Sequence, residues 1–244
     1  VKRAEYEKLY EVEDRMWWFR GTHANLAAAF RRAAPASRRP VLDAGCGTGG
    51  LLKRLKAAFP ERPVLGLELD RGASAMAREK SGCPVSVGKV EALPFRDAAL
   101  DGVFSADVLC HRGVDEAETL KEFHRCLAPG GVVVLNLPAY PWLLSSHDRA
   151  VENVRRYTRS GVVALLRRAG FEVTRTTYWN TVLFPVMVLR RKLLRGGGHS
   201  DVALAPAPVE AVFRLVMRLE TALLARGLTF PFGGSLVAVA VKNG

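Results

Sequence analysis

The sequence predicts an α/β domain of the doubly wound type, a mainly parallel sheet with helices on both faces. Three observations predict it. Short apolar strands alternate with amphipathic helices from Pro40 onward. The strand at Gly131 to Asn136 is apolar up to its closing Asn, as a strand covered on both faces must be. A glycine-rich turn follows the first strand and opens directly into a helix.

The elements follow in order. Val1 to Arg32 reads as one helix, because Tyr6, Leu9, Tyr10, Glu13 and Trp17 fall at helical spacing. The run Met16-Trp17-Trp18-Phe19-Arg20 is too aromatic for an ordinary solvated surface. Ala33 to Pro40 is a linker with two prolines. Strands are expected at 41–43, 64–68, 85–87, 101–105, 131–136, 171–177 and 235–241. Helices are expected at 49–59, 72–80 and 115–127, and from a Thr158 cap to near Gly170. Between the sixth and seventh strands lies an insertion with an apolar segment, the basic run Arg190-Arg191-Lys192, a Gly196-Gly197-Gly198 hinge and a helix over 209–226. The expected organisation is an N-terminal helical cap (1–40), a ligand-binding core (41–178), a helical insertion or lid (179–234) and a final core strand (235–244).

Composition narrows the function classes. The 244 residues are 49% hydrophobic and 25% charged, which excludes a disordered chain. The longest apolar run, Thr181 to Leu189, contains Pro185 and is too short to cross a bilayer. Cys46, Cys83, Cys110 and Cys126 form no CxxC pair, which removes zinc ribbons, thioredoxin-like motifs and radical iron–sulfur chemistry and leaves no expected metal site. Reduced thiols predict a cytoplasmic location. Net charge is +12, and from Val151 onward 14 Lys and Arg stand against 5 Asp and Glu. That excess suits an anionic partner, or an Arg-rich proteome. The segment 182–195, apolar then cationic, suits weak peripheral membrane contact; a lid helix packed on the core is the competing reading.

The chemistry concentrates in Val41-Leu42-Asp43-Ala44-Gly45-Cys46-Gly47-Thr48-Gly49-Gly50. Gly45, Gly47 and Gly50 satisfy the dinucleotide pattern G-x-G-x-x-G, so the loop alone admits an NAD-dependent oxidoreductase. Asp43 argues otherwise: an acid before the glycine turn repels a pyrophosphate and suits a cationic amine. Glu68, ending the second strand, can accept from both hydroxyls of a ribose.

The segments VLDAGCGTGG, LGLELD, EALPF, LDGVFSADVLCH and EFHRCLAPGGVVVLNLPA, in that order over Val41 to Ala139, resemble the class I S-adenosylmethionine-dependent methyltransferases of the small-molecule group. The chain is further similar to a subgroup with a WWF segment and an HD…RRYT stretch, here Trp17-Trp18-Phe19, His147-Asp148 and Arg155-Arg156-Tyr157-Thr158. The resemblance implies a Rossmann-like seven-stranded sheet, order 3-2-1-4-5-7-6 with strand 7 antiparallel, plus the N-terminal helix and the helical insertion between strands 6 and 7. It implies S-adenosyl-L-methionine as cofactor, S-adenosyl-L-homocysteine as product and a small-molecule or lipid-like acceptor rather than nucleic acid. Asp43, Ala44, Gly45, Cys46, Gly47 and Gly49 would cradle the methionine end, with Glu68 on the ribose and Leu69, Val90 and Glu91 about the adenine. Ser105, Ala106 and Asp107 would stand beside cofactor and acceptor. His111 and His147 are the candidate catalytic bases. Trp17, Trp18, His147, Arg156, Tyr157, Tyr178 and Trp179 are the candidate acceptor wall. Lys89 departs from the family, where an Asp often meets the adenine amine, and Cys110 replaces the usual Glu before His111. The basic insertion, together with Lys89, keeps a non-catalytic membrane-surface or partner-binding module with the same fold as an alternative. Asn136-Leu137-Pro138-Ala139-Tyr140 is similar to the NPPY box of amino-directed DNA methyltransferases but follows the fifth strand instead of the fourth, so it carries no weight here.

Overall fold

The computed structural model describes residues 3–193 and 204–243, without the side chains at 147 and 190–193. The glycine hinge expected at 196–198 lies outside the described residues. Strands β1 (Val41–Ala44), β2 (Val64–Glu68), β3 (Val85–Val87), β4 (Leu100–Ala106), β5 (Leu127–Pro138), β6 (Phe171–Trp179) and β7 (Ser235–Lys242) form one sheet in the order β3-β2-β1-β4-β5-β7-β6. The pairs from β3 through β5 are parallel, and β7 runs antiparallel to both β5 and β6.

The sheet is covered on both faces because its central strands are apolar on both. Leu42, Val103, Val133 and Leu135 pack on one side with Leu120 and Phe123 of α5 (Glu116–Cys126) and Val162 and Leu166 of α7 (Arg159–Arg168). Their neighbours Val41, Phe104, Val132 and Val134 pack on the other with Leu26 and Phe30 of α2 (Trp17–Ala33) and Leu52 and Leu55 of α3 (Gly50–Ala58). The alternation of side chains along a strand separates the two sets. Phe30 is fully buried, its ring 5.3 Å from Phe59 and 5.1 Å from Phe104, and burying such a side chain contributes about 1.5–3 kcal/mol. Side-chain caps open the helices: Asp70 accepts from Ala73 N–H at α4 (Arg71–Ser81), Asp115 from Ala117 and Glu118 at α5, and Thr158 from Gly161 at α7.

The N-terminal segment is two helices where the periodicity predicts one. Between α1 (Arg3–Val12) and α2, Glu13 turns inward, 4% exposed, to accept from Lys80 Nζ at 2.6 Å and from Thr48 Oγ1. A tertiary ion pair overrides the local helical pattern at that point. Beyond β6 lie α8 (Phe184–Leu193) and α9 (Ala207–Ala225), and after β5 a 3₁₀ turn (Pro141–Leu143) and the short α6 (Ser146–Ala150). All four cysteines are free and buried. Among the described residues no helix is long and apolar enough to cross a membrane.

Candidate functional site

At the carboxyl ends of β1 and β2 the backbone is shaped by glycine. Gly45, Gly47 and Gly49 have φ of 81°, 54° and 92°, the left-handed region that disfavours side chains. Gly45 and Cys46 N–H donate to Leu67 O at 2.8 and 2.9 Å, which pins the turn over β2. A Cβ on Gly45 would strike Val108 Cγ2, and one on Gly49 would lie 2.7 Å from Ala77 Cα. The loop therefore closes only with glycine at both positions.

Three carboxylates surround this turn. Asp43 is 1% exposed and its Oδ2 has no hydrogen-bond partner among the described residues. Burial pushes its carboxyl well above the usual range, and Glu13 and Glu68 add to the push. Glu68 accepts from Gly47 N–H at 2.9 Å on Oε2, and from Asp70 N–H and Tyr6 O–H at 3.0 and 3.1 Å on Oε1. Glu13 is the third, its carboxyl raised by burial against the pull of Lys80. Buried acids held this close favour a cation among them.

At the end of β4, Asp107 has φ 55° and donates its N–H to Asn136 O at 2.9 Å. Both of its carboxylate oxygens lie 3.1 Å from Asn136 Nδ2, and Trp179 Nε1 donates to Asn136 Oδ1 at 2.7 Å. The amide is thus held from both ends. Burial pushes the Asp107 carboxyl up to about 7, with Asp148 adding to the rise and Asn136 and Arg156 opposing it.

Both groups line one cavity of about 700 Å³. Its remaining wall is mostly apolar and helical: Met16, Trp17, Trp18 and Phe19 at the start of α2, Leu183, Val186 and Met187 around α8, and Phe213 of α9. The helices are fastened by buried acids. Glu210 of α9 accepts from Trp17 N–H, and Glu220 accepts from Thr181 N–H at 3.1 and 3.0 Å. Trp17 packs edge-on against Phe213 at 5.4 Å.

Comparison with known proteins matches residues 42–135 to a family described as a methyltransferase domain. The chain is 31% identical to 24-methylenesterol C-methyltransferase 2 of Oryza sativa subsp. japonica, over 60% of this chain and 41% of that one. It is 39% identical to malonyl-[acyl-carrier protein] O-methyltransferase of Dechloromonas aromatica, over 39% of this chain and 35% of that one. It thus spans less than half the length of these two curated relatives. Among solved structures it resembles a geranyl diphosphate C-methyltransferase from Streptomyces coelicolor A3(2), with TM-score 0.62 and 16% identity over 92% of this chain and 80% of that one. A putative sarcosine dimethylglycine methyltransferase from Galdieria sulphuraria gives TM-score 0.63 and 17% identity, over 91% and 85%. Residues 42–135 are a class I methyltransferase domain.

Within that domain the residues expected at the cofactor divide. Asp43, Gly45, Cys46, Gly47, Glu68, Ala106 and Asp107 line the cavity; Ala44 and Gly49 shape its loop from behind. Leu69, 63% exposed, stands outside it as an open platform. Glu91 is a correction: its Oε1 accepts from Asp115 N–H at 3.1 Å and holds the start of α5. Val90 is buried in the core, and Ser105 is 1% exposed with no partner for its Oγ among the described residues.

The expected acceptor wall is corrected more heavily. Trp17 and Trp18 line the cavity. Tyr157 does not, because its hydroxyl donates to Glu116 Oε1 at 2.7 Å inside the core. Tyr178 stacks on Tyr140 at 5.1 Å and accepts from Arg159 N–H, and Trp179 is fully buried against Asn136. Arg156 reaches the cavity wall with its guanidinium already committed: Nε and Nη2 donate to Asp148 Oδ1 at 3.0 and 2.7 Å, and Nη1 to Ala139 O at 3.0 Å. It supports the mouth instead of gripping an anion. His111 lines the cavity, but its imidazole bonds to the backbone of Val151 and Glu152, and burial lowers its pKa. His147 falls in α6, its side chain outside the described residues.

Sequence reasoning missed Tyr6, Glu13 and Asn136 as parts of this site. Asn136 was visible as an Asn-x-Pro box, and its use lies in holding Asp107 instead of holding a base. Tyr6 and Glu13 carried only a helical-face signal.

Proposed function

We propose that the chain transfers a methyl group from S-adenosyl-L-methionine to a nucleophilic atom of a predominantly apolar small or lipid-like acceptor. The observation that carries this reading is the unpartnered, buried Asp43 Oδ2 beside a glycine loop that no side chain can enter. Such a carboxylate suits the ammonium of a methionine moiety, and its raised pKa falls once that cation is in place. Glu68 Oε2 keeps an acceptor site for a ribose hydroxyl, and the position on Oε1 taken by Tyr6 O–H can serve a second. The residues present fit this cofactor.

When bound, the cofactor supplies an already activated methyl group, so this chain's residues need mainly to position and to exclude water. The apolar wall from Trp17, Trp18, Met187 and Phe213 desolvates the acceptor. Asp107 takes the proton released by the nucleophile: it lies at the end of β4 in the same cavity, and its carboxyl, pushed up to about 7, accepts a proton near neutral pH. One relative acts, by name, on a sterol, which supports an apolar acceptor.

Titration calorimetry tests the cofactor half. Glu68→Ala should weaken S-adenosylhomocysteine binding by ~2–4 kcal/mol, the loss of two hydrogen bonds to a charged group partly replaced by water. Unchanged affinity would remove the assignment.

A further inference from the structure

Helix α9 is apolar on two sides. Inward it buries Met217 and Leu224 together with Glu210 and Glu220. Outward it exposes Val212, Leu215, Leu219 and Leu223 at 57, 58, 61 and 38%, spaced so that they line one stripe. The segment entering α8 repeats the pattern with Val182, Val186 and Leu189 at 61, 55 and 59%. The two segments are tied together where Val182 N–H donates to the buried Glu220 Oε2 at 3.4 Å. Phe184 extends the patch to Trp142 and Phe232, at ring distances of 6.5 and 6.0 Å. Soluble helices turn a polar face to water, and an apolar face of this extent is a surface made to be covered.

Charge selects what covers it. Both carboxylates of α9 are buried, while Arg218 and Arg226 are exposed on its outer side. In the sequence, Arg190-Arg191-Lys192 follow the α8 stripe. A second copy meeting the same face about a twofold axis would set cations against cations. Anionic headgroups above an acyl layer complement both features, and an exposed Trp suits that boundary. The patch is also continuous with the cavity: Val186 and Leu204 are both exposed and part of its wall.

We infer that the outer face of α8 and α9 docks on an anionic bilayer surface, with the cavity mouth opening onto it. This goes beyond the proposed methyl transfer and stands apart from it, since docking is read without turnover.

Flotation of the full chain with phosphatidylcholine vesicles, with and without about 30% phosphatidylserine, at about 50 mM and about 500 mM salt, tests it. The chain should float with anionic vesicles at low salt and lose about tenfold in partitioning at high salt or without the anionic lipid. Arg218→Glu with Arg226→Glu should lower partitioning by about fivefold or more per residue. Leu215→Glu with Leu219→Glu should abolish it while the thermal melt stays that of the parent. The inference is overturned if the parent does not bind anionic vesicles, or if neither variant changes binding. A dimer in sedimentation that Leu215→Glu with Leu219→Glu disperses, without vesicle binding, would assign the face to a second copy and overturn it as well.

Discussion

The two ends of the cavity are built by different means. The end proposed for the cofactor is backbone and carboxylate: Gly45, Gly47 and Gly49 in left-handed conformations, with Asp43 and Glu68 at the ends of adjacent parallel strands. The end proposed for the acceptor is side chains from helices that arrive from both termini, joined by Glu210 and Glu220 of α9. A cradle fixed by φ angles and strand ends tolerates little change. A wall of Trp17, Trp18, Met187 and Phe213 can be repacked, because apolar volume matters there more than any one atom. Under the proposed function, this contrast accounts for a recognisable cofactor site joined to an acceptor pocket that carries no motif.

Four substitutions probe the contrast, from the largest expected effect to the smallest. Arg156→Ala stands at the join of the two ends. It removes the guanidinium that donates twice to the buried Asp148 Oδ1, and should cost about 3–5 kcal/mol of stability in denaturant titration. If the folded variant instead shows only a raised KM, Arg156 is an acceptor ligand and the boundary between the ends is misdrawn. Gly45→Ala should cost about 2–4 kcal/mol through strain at φ 81° and collision with Val108, and should cripple cofactor binding in calorimetry. Glu210→Ala removes the acceptor for Trp17 N–H at the start of α2. It should cost about 1–2 kcal/mol in a thermal melt while S-adenosylhomocysteine affinity stays that of the parent. A large loss of cofactor affinity there would show the two ends to be one unit.

The smallest effect sharpens the chemistry of the join. Asp107 must be ionised to take a proton. With its carboxyl pushed up to about 7, kcat/KM should rise about tenfold per pH unit below that value and level off above it. Asp107→Asn should flatten the limb at a lower rate. A limb that persists in the variant would pass the role to His111, whose lowered pKa places its own limb further toward acid.

Strand positions and the Thr158 cap were legible because they are local, whereas the strand order was implied by the family resemblance. The βα alternation, the Thr158 cap and the loop from Asp43 to Gly49 depend on residues close in sequence, and backbone sterics allow few answers for them. Glu68 was legible for the same reason, since a strand end next to the glycine turn has one place to go.

The break at Glu13, the commitment of Arg156 to Asp148 and of Tyr157 to Glu116, and the support of Asp107 by Asn136 and Trp179 are pairings over 8 to 67 residues of chain. No periodicity carries such information, because the same arginine or tyrosine reads alike whether its partner is a ligand or a buried acid. By itself the sequence determined where the strands and the glycine loop lie, since short-range sterics and hydrophobic alternation suffice for them. Only the tertiary structure decided which polar side chains face the cavity, because a buried polar group goes wherever a partner satisfies it, and that partner is chosen by the packed whole.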